Sequence, residues 1–117
     1  MKNISDMSIL ITGGGSGIGE GTASYFVKNG AKVTICGRNK DKLENVSKKL
    51  GNSCHAVKCD ITKNNERINL IEEAINHGQK LNALINNAGN MLRGPITDLN
   101  SLSLVASSII LVPFSAL

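Results

Sequence analysis

The stretch that decides the fold of this chain is Thr12-Gly13-Gly14-Gly15-Ser16-Gly17-Ile18-Gly19. It directly follows the apolar run 7–11 and directly precedes a segment with helical periodicity. Glycine permits positive φ and a close backbone approach, so the N–H groups that open the next helix can point at a pyrophosphate. The spacing G-x-x-x-G-x-G differs from the strict G-x-G-x-x-G fingerprint, but the flanking strand and helix are those that the fingerprint requires. We therefore expect a dinucleotide-binding turn, since the alternative, a plain strand-to-helix connector, would need fewer glycines.

Strand-like and helix-like segments alternate along the rest of the chain. The strands are predicted at 7–12, 32–36, 54–59 and 81–85, and the helices at 17–28, 40–50 and 63–77. Strands that alternate with helices of about 10 to 15 residues are typical of βαβ units with right-handed crossovers. The sequence thus predicts an α/β fold in which helices cover both faces of a parallel sheet.

The apolar periodicity of each helix predicts which side chains it buries. The expected buried positions are Ile18, Ala23, Phe26 and Val27 in the first helix, Leu43, Val46 and Leu50 in the second, and Ile68, Leu70, Ile71, Ala74 and Ile75 in the third. Glycine favours the C-terminal end of a helix, so the expected stops are Asn29-Gly30, Gly51 and Gly78. Aromatic residues make up only 3% of the chain and tryptophan is absent, so we expect an aliphatic core.

The length and charge of the chain narrow its class. At 117 residues it is at most one domain and is short for a complete α/β enzyme with its own substrate pocket. The net charge is +4, and basic side chains cluster at Arg38, Lys40, Lys42, Lys48 and Lys49. No aromatic residues are interleaved with them, so they indicate a solvated helix face, and we expect no nucleic-acid partner.

The cysteines and histidines do not have the spacing of a metal site. Cys36, Cys54 and Cys59 are odd in number and lack a C-x-x-C pair, and Cys54 and Cys59 should face opposite sides of their strand. Together with the lack of a secretory signal, they indicate reduced cysteines in a cytoplasmic protein. A predicted helix separates His55 from His77, so no metal site is expected, and His77 should interact with a helix dipole.

The composition of the chain changes after Asp98. No charged residue occurs from Leu99 to Leu117, which divides the chain into a half-domain at 1–98 and a divergent uncharged apolar tail at 99–117. A membrane span needs about 20 apolar residues, and this serine-rich tail falls short of that. We expect a helix or strand that needs a covering partner. The abrupt change also suggests a truncated, alternatively spliced or frameshifted product.

Three motifs in order resemble those of the short-chain dehydrogenase/reductase family. They are Thr12-Gly13-x-x-x-Gly17-x-Gly19, then Asp60-Ile61, then Asn86-Asn87-Ala88-Gly89. The resemblance covers residues from about 7 to 98 and implies the cofactor-binding half of a Rossmann-like, doubly wound sheet, truncated after about four strands. In such sheets ligands lie outside the carboxyl ends of the strands, and all three motifs fall at predicted strand ends.

The resemblance implies a role for each motif residue. The pyrophosphate turn would be formed by Gly13, Ser16, Gly17, Ile18 and Gly19, while Asn87, Ala88 and Gly89 would pass beneath the adenosine ribose. Asp60 would accept a hydrogen bond from the adenine amino group, and Ile61 would line the adenine pocket. One of the two asparagines would brace neighbouring strands. Alternatively, Asp60 is only the cap of a helix that starts near Thr62.

Cofactor choice in this fold is set at the end of the second strand, where a carboxylate would accept from the ribose 2′-hydroxyl of NAD. This chain has Ile35-Cys36-Gly37-Arg38-Asn39 there, with no carboxylate. The planar donor fork of Arg38 suits a phosphate, which favours NADP(H) over NAD. A free surface arginine is the alternative.

No catalytic residue is identified in these 117 residues. The family uses a tyrosine acid/base, a lysine four residues later whose charge lowers the tyrosine pKa, and a serine. Tyr25 is the only tyrosine, it lies in the first predicted helix, and Asn29 stands four residues after it. We therefore expect Tyr25 to be a packing or surface residue.

Three functions remain open. The first is an NADP-dependent oxidoreductase of this family, present in a truncated form that binds cofactor without turnover. The second is a non-catalytic dinucleotide-binding module that self-associates, or joins a longer relative through its tail and an exposed fourth strand. The third is a product that neither folds nor binds. The substrate is not identified, because the family builds its pocket mostly from its other half.

Overall fold

The structure is a computed structural model that describes residues 3–15 and 17–87, together with the backbone of 108–111. A turn of 3-10 helix, Ile4–Asp6, precedes the first strand. The strands are β1 Ser8–Thr12, β2 Lys32–Gly37, β3 Cys54–Lys58, β4 Ala83–Asn86 and β5 Ser108–Leu111, and the helices are α1 Gly17–Lys28, α2 Lys40–Leu50 and α3 Asn64–Gly78. The predicted alternation of strands and helices is therefore present, with end points that differ by at most two residues.

The five strands form one sheet in the order β3-β2-β1-β4-β5. β1 pairs in parallel with β2 and with β4, and β2 pairs in parallel with β3. The order runs outward from β1 to β3 and then returns to β4 on the other side of β1. This reversal creates a topological switch point between β1 and β4, which is where an open α/β sheet holds its ligand. The Rossmann-like parallel sheet is thus confirmed.

The expectation that the fourth strand has a free edge was wrong. β5 pairs antiparallel with β4, with Leu84 opposite Ile110 and Ile85 opposite Ile109. The uncharged residues 108–111 thus satisfy backbone groups of β4 that would otherwise face solvent. Both isoleucines of this segment have a high propensity for β-strands.

Alternate side chains of the strands build a core on each face of the sheet. Ile9, Ile11 and Ile35 belong to the cluster that includes buried side chains of α1 and α2, whereas Leu10 and Cys36 belong to the cluster that includes those of α3. All five residues of β1 are buried. Because β1 is covered on both faces and paired on both edges, it is the centre of the molecule.

Two isoleucines predicted to be buried are exposed instead. Ile18 is 74% exposed and Ile68 is 53% exposed, whereas Ala23 of α1 and Leu70 of α3 are buried. At 3.6 residues per turn, Ile68 lies about 200° around the helix from Leu70, and Ile18 lies about 140° from Ala23. Counting apolar residues without their angular position caused these errors. The other predicted positions are buried or pack against the core: Ala23, Phe26, Val27, Leu43, Val46, Leu50, Leu70, Ile71, Ala74 and Ile75.

The sequence predicted that Gly78 follows the end of α3 and stops it. In the structure Gly78 is instead the last residue of that helix. A Cβ built on Gly78 would overlap Ser8 Oγ, so a glycine lets the end of α3 pack directly against β1. The following residue, Gln79, takes the left-handed conformation that ends the helix, with φ 68°. The glycine here serves close packing rather than a positive φ.

Candidate dinucleotide-binding site

The motif residues lie at the carboxyl ends of four neighbouring strands. The glycine turn follows β1, Arg38 follows β2, Asp60 follows β3, and Asn87 follows β4. Carboxyl ends of parallel strands share one edge of the sheet, so these residues meet on the same side of the molecule. Ser16, Ala88 and Gly89, which the sequence assigns to the same site, lie outside the described residues.

The glycine turn is anchored to the end of β2. Gly13 has φ 72° and Gly17 has φ 61°, a region that glycine adopts without steric cost. The backbone N–H groups of Gly13 and Gly14 donate to Cys36 O at 2.8 and 3.2 Å. A Cβ on Gly14 would lie 2.5 Å from Ile35 Cβ, so the turn can approach β2 this closely only with glycine at that position.

Gly19 lets the first turn of α1 pack on the glycine turn itself. A Cβ at this position would overlap Gly13 O and would lie 2.7 Å from Asn87 Nδ2. Gly17 and Ile18, the first two residues of α1, are both exposed. The first N–H groups of the helix have no intrahelical partner and mark the positive end of its dipole, so this end is open to an anionic ligand.

Thr12 connects the ends of β1 and β4, a role that the sequence analysis missed. Its Oγ1 donates to Asn86 Oδ1 at 2.9 Å and accepts from the backbone N–H of Asn87 at 2.9 Å. Asn87 Nδ2 lies 3.5 Å from Gly13 O, to which it donates. Both asparagines thus tie the end of β4 to the end of β1, Asn86 through its side chain and Asn87 through its backbone N–H and its side chain. A polar residue at the end of an otherwise apolar strand was the available signal.

Asp60 forms a turn at the end of β3. Its Oδ1 accepts from the backbone N–H of Thr62 at 3.0 Å and from Thr62 Oγ1 at 2.6 Å. These bonds, with smaller contributions from the charges of Lys63 and Arg38, hold the pKa of Asp60 below its ordinary value, so the carboxylate is anionic at neutral pH. The alternative that Asp60 caps α3 was wrong, because that helix begins at Asn64 with Lys63 as its N-cap.

Arg38 is exposed directly after β2 and forms no hydrogen bond or ion pair with residues 3–15 or 17–87. The next residue, Asn39, is already engaged, because its side chain accepts from the backbone N–H of Lys42 at 3.1 Å and caps α2. The guanidinium of Arg38 is therefore available to a ligand at this edge. It offers a planar fork of donors, which suits a phosphate group.

Lysines next to Arg38 lie on the outer face of α2, as predicted. Lys40, Lys42, Lys48 and Lys49 are exposed. Lys40 Nζ lies 3.7 Å from Glu44 Oε1, and Lys49 Nζ lies 2.8 Å from Glu20 Oε2 on α1. Exposed pairs of this kind contribute little to stability.

The three cysteines are free and buried in the core. Cys54 and Cys59 belong to clusters on opposite faces of the sheet, as predicted. Burial raises the pKa of Cys36 to about 12 and that of Cys54 to about 11. Because the thiolate is the reactive form, neither thiol is suited to nucleophilic chemistry.

The histidines and Tyr25 lie outside the candidate site. His77 Nε2 is 2.8 Å from Ser53 O, and His55 Nε2 is 2.9 Å from Glu73 Oε2. Tyr25 on α1 is 56% exposed and packs edge-to-face with Phe26.

Across the described ranges, no group of three or more histidine, cysteine or acidic side chains could hold a metal ion. No helix in the described part of the chain is long and apolar enough to cross a membrane.

The fold and the glycine turn define a dinucleotide-binding type of α/β domain. The family model for short chain dehydrogenases matches residues 7–111, so the chain belongs to the short-chain dehydrogenase family. It is 44% identical over 99 residues to an uncharacterized oxidoreductase of Staphylococcus aureus strain MRSA252. That match covers 84% of this chain but only 43% of the relative, so the chain spans about two fifths of the relative's length.

Two solved structures show the same relationship. A 3-ketoacyl-(acyl-carrier-protein) reductase from Brucella melitensis, complexed with NADH, superposes with a TM-score of 0.72 at 42% identity. That match covers 74% of this chain and 36% of the reductase. A short-chain dehydrogenase/reductase of unknown function from Caenorhabditis elegans, solved with cofactor, has a TM-score of 0.70 at 32% identity. It matches over 74% of this chain and 34% of its own length.

Proposed function

We propose that this chain binds NADP(H) and forms the cofactor-binding part of an oxidoreductase of the short-chain dehydrogenase type. One observation carries the proposal. The exposed N-terminus of α1, the exposed guanidinium of Arg38 and the Asp60 carboxylate all lie at the carboxyl edge of the sheet. A dinucleotide phosphate needs complementary groups for its pyrophosphate, its 2′-phosphate and its adenine.

Each part of the cofactor has a proposed set of residues. The pyrophosphate would lie on the N–H groups of the turn, formed by Gly13, Ser16, Gly17, Ile18 and Gly19. The adenine amino group would donate to Asp60, with Ile61 against the ring, and Asn87, Ala88 and Gly89 would lie beneath the ribose. Both hydrogen bonds from Thr62 go to Oδ1 of Asp60, which leaves Oδ2 for the base.

The preference for NADP(H) over NAD(H) rests on Arg38. No carboxylate follows β2 to accept from a ribose 2′-hydroxyl or to repel a 2′-phosphate. NAD(H) is the second candidate cofactor, because the Brucella melitensis reductase was solved with NADH.

Titration of the full 117-residue chain with NADPH and with NADH, followed by nicotinamide fluorescence, tests this preference. We expect tighter binding of NADPH, and we expect Arg38→Ala to weaken NADPH binding about tenfold while changing NADH binding less than about twofold. Lys42→Ala is the matched control, because it removes an exposed cation of α2 near the same edge. If the unsubstituted chain binds the two cofactors with equal affinity, the proposed preference for NADP(H) is wrong, and only the proposal that the chain binds a nicotinamide dinucleotide is kept.

We further propose that these 117 residues alone do not catalyse hydride transfer. A bound nicotinamide would supply the hydride chemistry, but the reaction also needs a proton donor at the substrate oxygen. Tyr25 is the only tyrosine in the sequence, and it lies on α1 with Asn29 four residues later. Hydride turnover by purified chain that is abolished by substitution in the glycine turn would contradict this proposal.

The second candidate function is a non-catalytic dinucleotide-binding module that associates with another copy or with a longer relative. β5 supports this candidate, since it ends the sheet with the uncharged sequence Ser-Ile-Ile-Leu. Cofactor binding without turnover, together with a concentration-dependent mass, would favour it. Either function is compatible with a cytoplasmic location. The three free cysteines favour that location, because disulfides are rare in the cytoplasm.

A further inference from the structure

The loop of residues 60–63 joins β3 to α3 and contains two of the proposed cofactor contacts, Asp60 and Ile61. We call it the adenine loop. Its shape is fixed internally, since the backbone N–H of Lys63 donates to Asp60 O at 3.0 Å and Thr62 donates twice to the Asp60 carboxylate. These local bonds do not determine where the loop lies relative to the sheet. That requires contacts from outside the loop.

Two side chains of α3 supply such contacts. Oε1 of Glu66 accepts from the backbone N–H of Asp60 at 2.9 Å, and Nη1 of Arg67 donates to Ile61 O at 2.6 Å. The two residues therefore hold successive backbone groups of the adenine loop, one through its N–H and the other through its carbonyl. Both bonds involve a charged group, which makes them stronger than bonds between neutral groups.

The use of Glu66 differs from that of a glutamate at this position in an ordinary capping box. Glu66 is the third residue of α3, from which a glutamate commonly reaches back to the N–H of the N-cap residue. The N-cap here is Lys63, yet Glu66 accepts instead from the backbone N–H of Asp60, which lies three positions before the N-cap. Lys63 approaches the other carboxylate oxygen, with Nζ 3.8 Å from Oε2. The carboxylate thus stabilises the loop rather than only the helix.

Arg67 is held in a fixed direction as well. Its Nη2 donates to Asn64 Oδ1 at 3.2 Å while Nη1 is bonded to Ile61 O. Two donors of one planar group are therefore used, one on the helix and one on the loop. A lysine, with a single ammonium on a flexible stem, cannot reproduce this fork.

We propose that Glu66 and Arg67 are positioning residues for adenine recognition, which hold the adenine loop so that the Asp60 carboxylate faces the 6-amino group of the base. The inference rests on the proposed function, since it requires that a dinucleotide binds at this edge. Neither side chain needs to contact the cofactor. They act through the backbone of the two residues that would contact it.

The test compares NADPH with the analogue in which hypoxanthine replaces adenine, because hypoxanthine carries an oxygen in place of the 6-amino group. We expect Glu66→Ala and Arg67→Ala each to weaken NADPH binding about tenfold and binding of the analogue less than about threefold. A merely structural role would weaken both dinucleotides equally. Asp60→Ala serves as the reference, since it should remove the difference between the two bases.

Conservative and matched variants complete the experiment. Glu66→Gln keeps an oxygen that accepts from the Asp60 N–H, so it should restore most of the affinity for NADPH. Arg67→Lys should not restore it. Glu72→Ala, which removes an exposed carboxylate from the same helix, should bind both dinucleotides like the unsubstituted chain. Thermal unfolding followed by circular dichroism identifies any variant whose fold is lost.

The outcomes separate the inference from the function on which it rests. If the unsubstituted chain binds neither dinucleotide, both the proposed function and the inference are wrong. If it binds NADPH more tightly than the analogue, and the two alanine variants lose affinity for both by the same factor, only the inference is overturned. A loss confined to the adenine dinucleotide, with rescue by Glu66→Gln, supports it.

Discussion

Thr34 illustrates how a single polar group in the core affects stability. The residue is 1% exposed on β2, and in the described part of the chain its hydroxyl has no hydrogen-bond partner. A buried hydroxyl without a partner costs about 1 to 3 kcal/mol, whereas valine fills nearly the same volume without that cost. We expect Thr34→Val to raise the free energy of unfolding by about 1 kcal/mol, measured by urea denaturation.

Thr12→Val is the matched comparison for this prediction. The Thr12 hydroxyl bonds to the half-buried Asn86 and Asn87, so its removal breaks two hydrogen bonds between the ends of β1 and β4 and should lower the free energy of unfolding by about 1 to 3 kcal/mol. Opposite signs for the two substitutions are the expected result. A destabilised Thr34→Val protein would show that the Thr34 hydroxyl has a stabilising partner.

The buried thiol of Cys36 should make the fold less stable at alkaline pH. Burial raises the pKa of its thiol from 9.0 to about 12, so the folded state keeps a proton that the unfolded state releases. Stability from this group is complete below about pH 9 and is lost as the pH rises toward 12. Between about pH 7.5 and about pH 10 the loss should be on the order of 1 kcal/mol.

The measurement is urea unfolding at these two pH values for the unsubstituted chain and for Cys36→Ala. The alanine variant is less stable at the lower pH because it leaves a cavity, but its stability should fall less as the pH rises. Burial also raises the pKa of Cys54 and of Cys59, but both thiols are common to the two proteins, so their titration cancels in the comparison. A fall of equal size in both would contradict the assignment to Cys36.

At the scale of elements, two of the three glycines of α1 have opposite roles. A Cβ on Gly19 would overlap Gly13 O, whereas a Cβ on Gly21, in the same helix, would meet nothing within 4 Å. Gly19→Ala should therefore push α1 away from the glycine turn and weaken dinucleotide binding at least about tenfold. Gly21→Ala should stabilise the helix by about 0.5 to 1 kcal/mol and leave binding unchanged.

Thermal unfolding and cofactor titration of the two variants measure both effects. The pair controls for helix propensity, because the same substitution is made twice in one helix. If Gly19→Ala binds cofactor like the unsubstituted chain, the close contact of Gly19 with Gly13 is not needed for the site.

The elements themselves could largely be predicted from the sequence, because hydrophobic periodicity and glycine stops are local signals. The exposed Ile18 and Ile68 show where that reasoning failed, since burial depends on the angle of a residue around its helix axis. Gly78 shows a second limit. Its contact with Ser8 joins residues 70 positions apart in the sequence, and no local pattern contains it.

The residues of the candidate site also fall into two groups, those that the sequence could indicate and those that only the structure shows. The glycine turn, Arg38 and Asp60 could be proposed as site residues because residue type and position after a strand carry the signal. Glu66 and Arg67 could not, since each acts through a hydrogen bond to the backbone of a residue in the loop that precedes α3. A glutamate and an arginine in the first turns of a helix are ordinary in composition, so only the geometry distinguishes them.

At the scale of the whole molecule, the two edges of the sheet differ. The β3 edge carries Lys58 and His55. The β5 edge reads Ser-Ile-Ile-Leu, and no strand in the described part of the chain pairs with its outer side. Charged side chains protect a sheet edge from pairing with another chain, and β5 lacks them. An antiparallel contact between the β5 strands of two copies would use the same surface of each copy, as a two-fold dimer requires.

Proline substitution tests this association. In an antiparallel pair, N–H groups of successive residues point alternately toward the partner strand and away from it, so either Ile109 or Ile110 directs its N–H toward β4 and the other directs it outward. Proline lacks this donor and is tolerated on an edge strand only where the N–H faces outward. One of Ile109→Pro and Ile110→Pro should therefore lower the melting temperature by several degrees. The other should leave it nearly unchanged but shift the chain from dimer to monomer in sedimentation velocity. A chain that is monomeric without substitution, at all concentrations tested, would exclude self-association through β5.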